Sequence, residues 1–393
     1  MKKFDFDRML ELPREDSVIL LGPRGVGKST LLKKLFEPSQ EPSQCLWINL
    51  LLAAEEDRYL RNPDTLSAEV LALSEDQHYV VIDEIQKVPK LLDIVHQLVE
   101  STAKIFILSG SSARKLKKSS SNLLAGRAFV FNLAAFTFEE LGEVFDLEVA
   151  LTWGMLPKIY QLHTDTRRAN YLKSYAHTYL KEEIWAEQFI RELSPFRYFL
   201  EVASQCNGKI INFSKIARDV GVDHKTVENY YSILEDTLLG FFLPAYDGSF
   251  RKQISKAPKF YLFDTGVTRA LSRMLSVPVR ERTNYYGDLF EQFIVCEIKK
   301  YINYYKDEYR ITYLCDKNGQ EIDLVVQRPA QLTLLIEIKS SNDVQLDQLK
   351  ALATLKDDIP NSLAICLSRD QNKKVYGDIT VWPWRDAILH FFK

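Results

Sequence analysis

The chain has 393 residues, more than one hydrophobic core usually serves, so roughly two to four domains are expected. Hydrophobic residues make up 46% and charged residues 26%, which excludes a disordered chain. The net charge of −2 excludes a basic field over the whole surface, so any surface for nucleic acid must be local. Cys45, Cys206, Cys296, Cys315 and Cys366 are odd in number and widely spaced, and none forms C-x-x-C; neither a zinc site nor a disulfide framework is indicated. Met1–Asp5 carries no apolar signal region, and no apolar run is long enough to span a bilayer. The expectation is a cytoplasmic protein with reduced thiols and no membrane partner.

In chain order, Val18–Leu21 is a continuous apolar run and reads as a buried strand. It leads into Gly22-Pro23-Arg24-Gly25-Val26-Gly27-Lys28-Ser29, which fits G-x-x-x-x-G-K-[ST], and a helix is expected to start near Lys28 and run through Phe36. Gly22, Gly25 and Gly27 let successive backbone N–H groups turn inward as an anion nest, and the helix adds its positive end. Lys28 can reach the β- and γ-phosphates of a nucleotide, and the Ser29 hydroxyl can ligate Mg²⁺. Gly22 through Thr30 is therefore the expected cradle for ATP.

Cys45–Leu51 reads as a second strand and Leu66–Leu73 as a helix. Tyr79–Ile82 is a third strand, ending in Asp83-Glu84. Asp83 at a strand end beside a phosphate loop suits the Mg²⁺ shell, and Glu84 suits the base that deprotonates the attacking water. A helix from Pro89 to Glu100, a fourth strand over Lys104–Ser109 and a fifth over Ala128–Leu133 complete an alternation typical of a parallel sheet covered on both faces. Ser109 can bond the γ-phosphate or the attacking water, or simply form a turn with Gly110, Ser111 and Ser112. Arg127, after Gly126 and just before the fifth strand, can stabilise charge on the γ-phosphate of a neighbouring subunit, or simply open a strand at the surface.

Gly22–Ser29, Val80–Glu84, the polar end of the fourth strand and Arg127 together resemble an AAA+ ATPase module over residues 1–145. Ser109–Ser112, Ala125-Gly126-Arg127 and Trp153-Gly154-Met155-Leu156-Pro157-Lys158 further resemble a prokaryotic family that joins this ATPase to a C-terminal domain of uncertain function. The resemblance implies ATP and Mg²⁺ as cofactors and assembly as a homo-oligomer, in a ring or an ATP-dependent complex.

Residues 146–200 read as a helical lid, with Tyr171, Tyr175 and Tyr179 recurring at helix spacing. Residues 201–260 resemble a winged helix. Phe213–Val220 is its first helix, Gly221–Asp223 the turn, and His224–Leu239 the second helix with Asp223 as N-cap. Lys225, Thr226, Asn229 and Tyr230 are expected exposed on that second helix, and Arg251, Lys252, Lys256 and Lys259 form a basic loop. Of these, Lys225, Thr226, Asn229, Arg251 and Lys252 are the candidate DNA contacts.

Residues 261–393 carry a second constellation. A helix opens at Asp288 and carries Glu291; strands follow at Tyr309–Leu314, after Gly319-Gln320, and at Leu334–Lys339. Glu337 and Lys339 are two apart and share a face, and Asp323 can lie beside them across a hairpin. Asp323, Glu337 and Lys339 match, residue by residue, the motif of the PD-(D/E)xK nuclease fold, with Asp323 and Glu337 as the implied metal ligands and Glu291 as a third carboxylate. The motif's Pro is replaced by Ile322. The fold class expected is thus α/β: a P-loop AAA+ parallel sheet with a helical lid, a winged helix, then an α/β restriction-endonuclease-like domain. The function expected is ATP hydrolysis coupled to action on nucleic acid, as DNA binding or remodelling with or without metal-dependent cleavage, and DNA is the expected partner. The alternatives are a STAND-like ATP-controlled regulatory or defence switch that binds protein, and an ATPase that remodels protein partners.

Overall fold

The computed structural model describes residues 6–36, 45–111, 126–179, 193–246 and 257–393. Ser112, Ser119–Ser121, Ala125, Arg251, Lys252 and Lys256 lie outside the described residues, as does the side chain of Tyr179. The chain divides into two compact units: Met1–Phe136 with Leu156–Lys158 and Asp236–Leu239, and the remainder.

The first unit is built on five strands: β1 (Val18–Leu21), β2 (Cys45–Asn49), β3 (Tyr79–Asp83), β4 (Ile105–Gly110) and β5 (Phe129–Asn132). Their order is β2-β3-β4-β1-β5, and every pairing is parallel. The apolar runs explain the burial. Ile19, Ile48, Val80, Ile82, Phe106 and Leu108 join one core with Leu92, Val95 and Leu98 of the helix Leu91–Ser101. The chain leaves β1 for β2 and returns through β4 to β1's other side, so the carboxyl ends of β1, β3 and β4 lie side by side, the place where open α/β sheets bind ligands. Two expectations change. β2 stops at Asn49 rather than Leu51, because the Asn49 side chain accepts the Leu51 N–H at 3.0 Å and turns the chain. The outer strand β5 is not covered on both faces: Phe129 is 56% and Val130 45% exposed.

The second unit opens with the short helix Phe138–Leu141, followed by helices Leu147–Trp153 and Asp165–Ser174, the last passing into a wider π turn at Tyr175–Tyr179. Helices Leu193–Gln205, Phe213–Val220 and His224–Asp236 follow, then an antiparallel hairpin of β6 (Gly240–Leu243) and β7 (Lys259–Leu262). Gly221 at φ 77° makes the turn between the helix pair, and Asp223 caps the next helix by accepting the Thr226 N–H at 2.9 Å. That helix ends before the expected Leu239; Leu238 takes φ 59°.

The C-terminal part consists of the helix Asn284–Tyr305 and six strands, β8 (Arg310–Cys315), β9 (Glu321–Gln327), β10 (Thr333–Lys339), β11 (Ser362–Ser368), β12 (Lys374–Tyr376) and β13 (Ile379–Pro383). Their order is β12-β13-β11-β10-β9-β8, antiparallel from β8 to β10 and parallel from β10 through β11 to β13. The long helix starts four residues before Asp288 because Thr283 caps it, accepting the Tyr286 N–H at 3.2 Å. All five cysteines are free thiols. No helix among the described residues is long and apolar enough to cross a membrane.

Candidate functional site

Gly22 leaves β1 so close to the fifth strand's exit that a Cβ there would stand 2.3 Å from the Leu133 carbonyl oxygen. Gly25 and Gly27 take φ 82° and 99°, the left-handed region that lets the loop's N–H groups converge. The Lys28 side chain is buried and folds over the loop, donating to the Gly22 carbonyl at 2.7 Å and the Pro23 carbonyl at 3.2 Å. An ammonium held on backbone carbonyls at the start of a helix is a charge poised for an anion. Ser29 and Arg24 are half-buried and Thr30 is exposed.

An arginine that the sequence reading missed braces this loop. Arg8 donates to the Val26 carbonyl at 2.8 Å and to the Ala134 carbonyl at 2.7 Å, with its guanidinium 4.9 Å over the Phe136 ring. Nothing in the local sequence marks it, since its partners lie 18 and 126 residues away.

Asp83 is buried at the end of β3, level with Ser109 of β4. The Ser109 hydroxyl donates to Asp83 Oδ1 and accepts the Glu84 N–H at 3.1 Å. Ser109 thus clamps the acidic pair. Glu84 sits at φ 62°, a conformation that costs a non-glycine residue of order 1–3 kcal/mol and clusters at functional sites. The Gln86 amide donates to Glu84 Oε2 and, at 3.0 Å, to Ser111 Oγ, so Gln86 and Ser111 position the carboxylate. Gln86 was missed in sequence, where it looks like an ordinary polar turn residue; Ser111 was read there only as part of the polar end of the fourth strand.

Arg127 lies elsewhere. It precedes β5, whose Phe129 pairs with Val18 at the amino end of β1, whereas the phosphate loop follows the carboxyl end. Four residues of strand, about 13 Å, separate the two edges. Its Nε donates to Glu100 at 2.8 Å. It cannot serve its own loop.

In the second unit β9 and β10 pair antiparallel with Leu324 opposite Ile336, which brings Asp323 beside Glu337 and Ile338. Asp323 Oδ2 accepts the Ile338 N–H at 2.7 Å, and Lys339 donates to Glu337 Oε1 at 2.6 Å. Glu337 Oε2 is buried with no hydrogen-bond partner among the described residues. Burial, reinforced by the Glu337 and Glu291 charges, pushes the Asp323 carboxyl well above the usual range against the pull of Lys259 and Lys339. Burial raises Glu337 too, with Lys339 opposing.

Glu291 of the helix Asn284–Tyr305 faces the hairpin: its Oε1 accepts the Tyr261 hydroxyl at 2.6 Å and lies 3.7 Å from Lys259 Nζ. Lys259 also pairs with Glu321. It is 2% exposed on β7, which corrects its expected place in a basic surface loop; strand alternation turns it inward toward carboxylates. No group of three or more His, Cys, Asp or Glu residues among the described residues is arranged to hold a metal ion. A cleft of about 820 Å³ opens beside the cluster, lined by Lys209, Arg282, Arg369, Lys339, Asp323 and Glu291 among others.

On the helix His224–Asp236, Lys225 and Asn229 are exposed as expected. Thr226 is half-buried and donates its hydroxyl to Asp223 at 2.5 Å, completing the cap. Tyr230 is buried, not exposed; its ring packs 5.0 Å from Phe196 and 5.1 Å from Phe199. The helix face that carries Val227 and Tyr230 belongs to the core, and a tyrosine there adds apolar area.

Residues 14–142 match the family described as AAA domain, residues 144–277 a domain of unknown function (DUF8612), and residues 286–387 another domain of unknown function (DUF4143). An uncharacterized protein of Mycobacterium tuberculosis is 27% identical over 293 residues, 72% of this chain and 62% of the relative. The chain thus spans under two thirds of that relative's length. An uncharacterized protein of Methanocaldococcus jannaschii is 24% identical over 438 residues, 99% of this chain and 89% of the relative. One of Haemophilus influenzae is 22% identical over 272 residues, 64% of this chain and 68% of the relative. The AAA domain match falls on the parallel sheet whose strand ends carry Lys28, Asp83 and Glu84, and it supports an AAA-type ATPase.

Proposed function

We propose that this chain hydrolyses ATP at the Gly22–Thr30 loop and uses the hydrolysis to act on DNA through its C-terminal part. The convergence of Lys28, Asp83 and Glu84 at one edge of a parallel sheet carries the reading. Lys28 exchanges the carbonyls of Gly22 and Pro23 for the β- and γ-phosphate oxygens. Ser29 and Asp83 would hold Mg²⁺, which would supply charge neutralisation to the phosphates. Glu84, oriented by Gln86 through its side chain and by Ser109 through its N–H, takes the proton of the attacking water. Arg127, remote from its own loop, fits a role on a neighbour's γ-phosphate in a homo-oligomer.

The DNA reading is supported by the C-terminal order of elements, helix, three antiparallel strands, helix, then a parallel strand. That order resembles the PD-(D/E)xK fold, with Asp323, Glu337 and Lys339 at its motif positions. Lys209, Arg282, Arg369 and Lys339 line the adjoining cleft together with Glu281, Asp288, Glu291, Asp323 and Asp343, so its surface is of mixed charge and its cations are the groups that would meet phosphates. Exposed Lys225 and Asn229 offer a second contact, with Arg251 and Lys252 outside the described residues. The test is the ATPase rate with and without duplex, branched and single-stranded DNA. Stimulation by any of them supports the reading; a flat rate shifts it to an ATP-controlled switch with protein partners.

A further inference from the structure

Lys259 stands in an unusual place for a lysine. It is 2% exposed, and burying an ammonium is costly unless carboxylates surround it. Three do. Glu321 and Asp323 are two apart on β9 and share a face, and Glu291 approaches from the helix. Burial alone would lower the Lys259 ammonium; Glu291, Asp323 and Glu321 outweigh it and hold the group above the usual lysine range. Tyr261, two residues along the same strand and on the same face, adds its hydroxyl to Glu291. The hairpin thus reaches the C-terminal cluster with two side chains, and both spend themselves on carboxylates.

The motif at Asp323, Glu337 and Lys339 implies a divalent cation, and the residues as arranged do not fit one. Glu291 is turned to Tyr261 and Lys259, Glu337 Oε1 is taken by Lys339, and Asp323 Oδ2 by the Ile338 N–H, while Glu337 Oε2 is buried with no hydrogen-bond partner among the described residues. One open oxygen does not make a metal site, and no group of three or more His, Cys, Asp or Glu residues among the described residues is arranged to hold a metal ion.

We propose that Lys259 is a built-in cation of the C-terminal cluster, filling through the β6–β7 hairpin the charge position of a divalent metal, and that displacing it frees Glu291 and Glu321 to admit Mg²⁺ or Mn²⁺ beside Asp323. The contact is autoinhibitory: the hairpin that belongs to the helix-rich half keeps the cluster closed to metal. It rests on reading this cluster as the effector part of the proposed function. The test is run without DNA or nucleotide, so its outcome does not depend on whether the chain acts on DNA.

Mn²⁺ is titrated calorimetrically into the full chain and into Lys259→Met. The variant binds Mn²⁺ about tenfold tighter or more, because a unit positive charge at close range no longer competes. Adding Asp323→Ala to Lys259→Met removes the gain. Equal affinity in parent and variant, or a gain that survives Asp323→Ala, overturns the proposal. Where circular dichroism shows Lys259→Met unfolded, Lys259→Gln, whose neutral amide can still hydrogen-bond the carboxylates, carries the same expectation. In the parent chain, excess Mn²⁺ raises hydrogen exchange at the backbone amides of Phe260, Tyr261 and Leu262 as Lys259 is displaced. Unchanged exchange there overturns the proposal whatever the variants do.

Discussion

Gly154→Ala is the sharpest structural perturbation available. Gly154 ends the helix Leu147–Trp153 at φ 82° and ψ −171°, a region essentially reserved for glycine and costing another residue of order 1–3 kcal/mol. A Cβ there would stand 2.1 Å from Asp264 Oδ1 and 2.5 Å from Oδ2. That carboxylate is fully buried and accepts the Met155 N–H at 2.6 Å and the Val267 N–H at 2.9 Å, capping the helix Thr265–Leu271. Moving it strands two buried donors, each worth about 1–3 kcal/mol. The terms combine to roughly 3–9 kcal/mol, at or beyond the diagnostic end for a point substitution. In a body of this size that lowers the melting temperature by about 6 °C or more. Urea unfolding followed by circular dichroism reads the loss directly. A loss below about 1 kcal/mol would refute the reasoning, because it would mean that Asp264 yields without leaving donors unpaired.

Four further outcomes are expected. Asp323 is raised in the fold, so the folded chain holds its proton more tightly than the unfolded one; its contribution is present below the ordinary 3.8 and lost as pH rises through the folded value. Asp323→Asn therefore melts higher than the parent at pH 8, by of order 1–3 kcal/mol, and alike at pH 4; a lower melting temperature at pH 8 contradicts the buried-charge account. Arg8→Ala removes the brace on Val26 and Ala134, raising KM for ATP more than it lowers kcat, with partial recovery in Arg8→Lys; an unchanged KM shows that the loop needs no brace. Arg127→Ala binds ATP normally but turns over about 10³-fold more slowly, and mixing it with Lys28→Ala chains restores part of the rate; no recovery at any ratio excludes a shared site. Ser109→Ala leaves the Glu84 N–H and an Asp83 oxygen unpaired, so it lowers kcat with little effect on nucleotide affinity, as steady-state kinetics would show.

The phosphate loop was legible in sequence because its chemistry is local: three glycines, a lysine and a serine at fixed spacing between an apolar strand and a helix. The acidic pair was legible for the same reason, as the end of a four-residue apolar run. Their supports were not. Arg8, Gln86 and Ser111 act through partners that only the folded sheet brings near, and no periodicity marks them. Lys259 shows the converse failure. In sequence it stands among Arg251, Lys252 and Lys256 and looks like part of a basic loop, yet it is the first residue of a strand whose inward face meets Glu291 and Glu321. Tyr230 sits between exposed Asn229 and buried Tyr231, and only packing against Phe196 and Phe199 decides its side. The pairing of Asp323 with Glu337 and Lys339 was legible because alternation and a short hairpin fix which residues share a face.

The central claim is that this fold hydrolyses ATP with Glu84 as the base. Glu84→Gln tests it most directly, with Lys28→Ala as the control that removes binding. The glutamine variant keeps ATP affinity near that of the parent and loses turnover by about 10²–10⁴-fold, since the amide cannot take a proton from water. Hydrolysis by Glu84→Gln at the parent rate, with ATP bound equally well, would contradict the account.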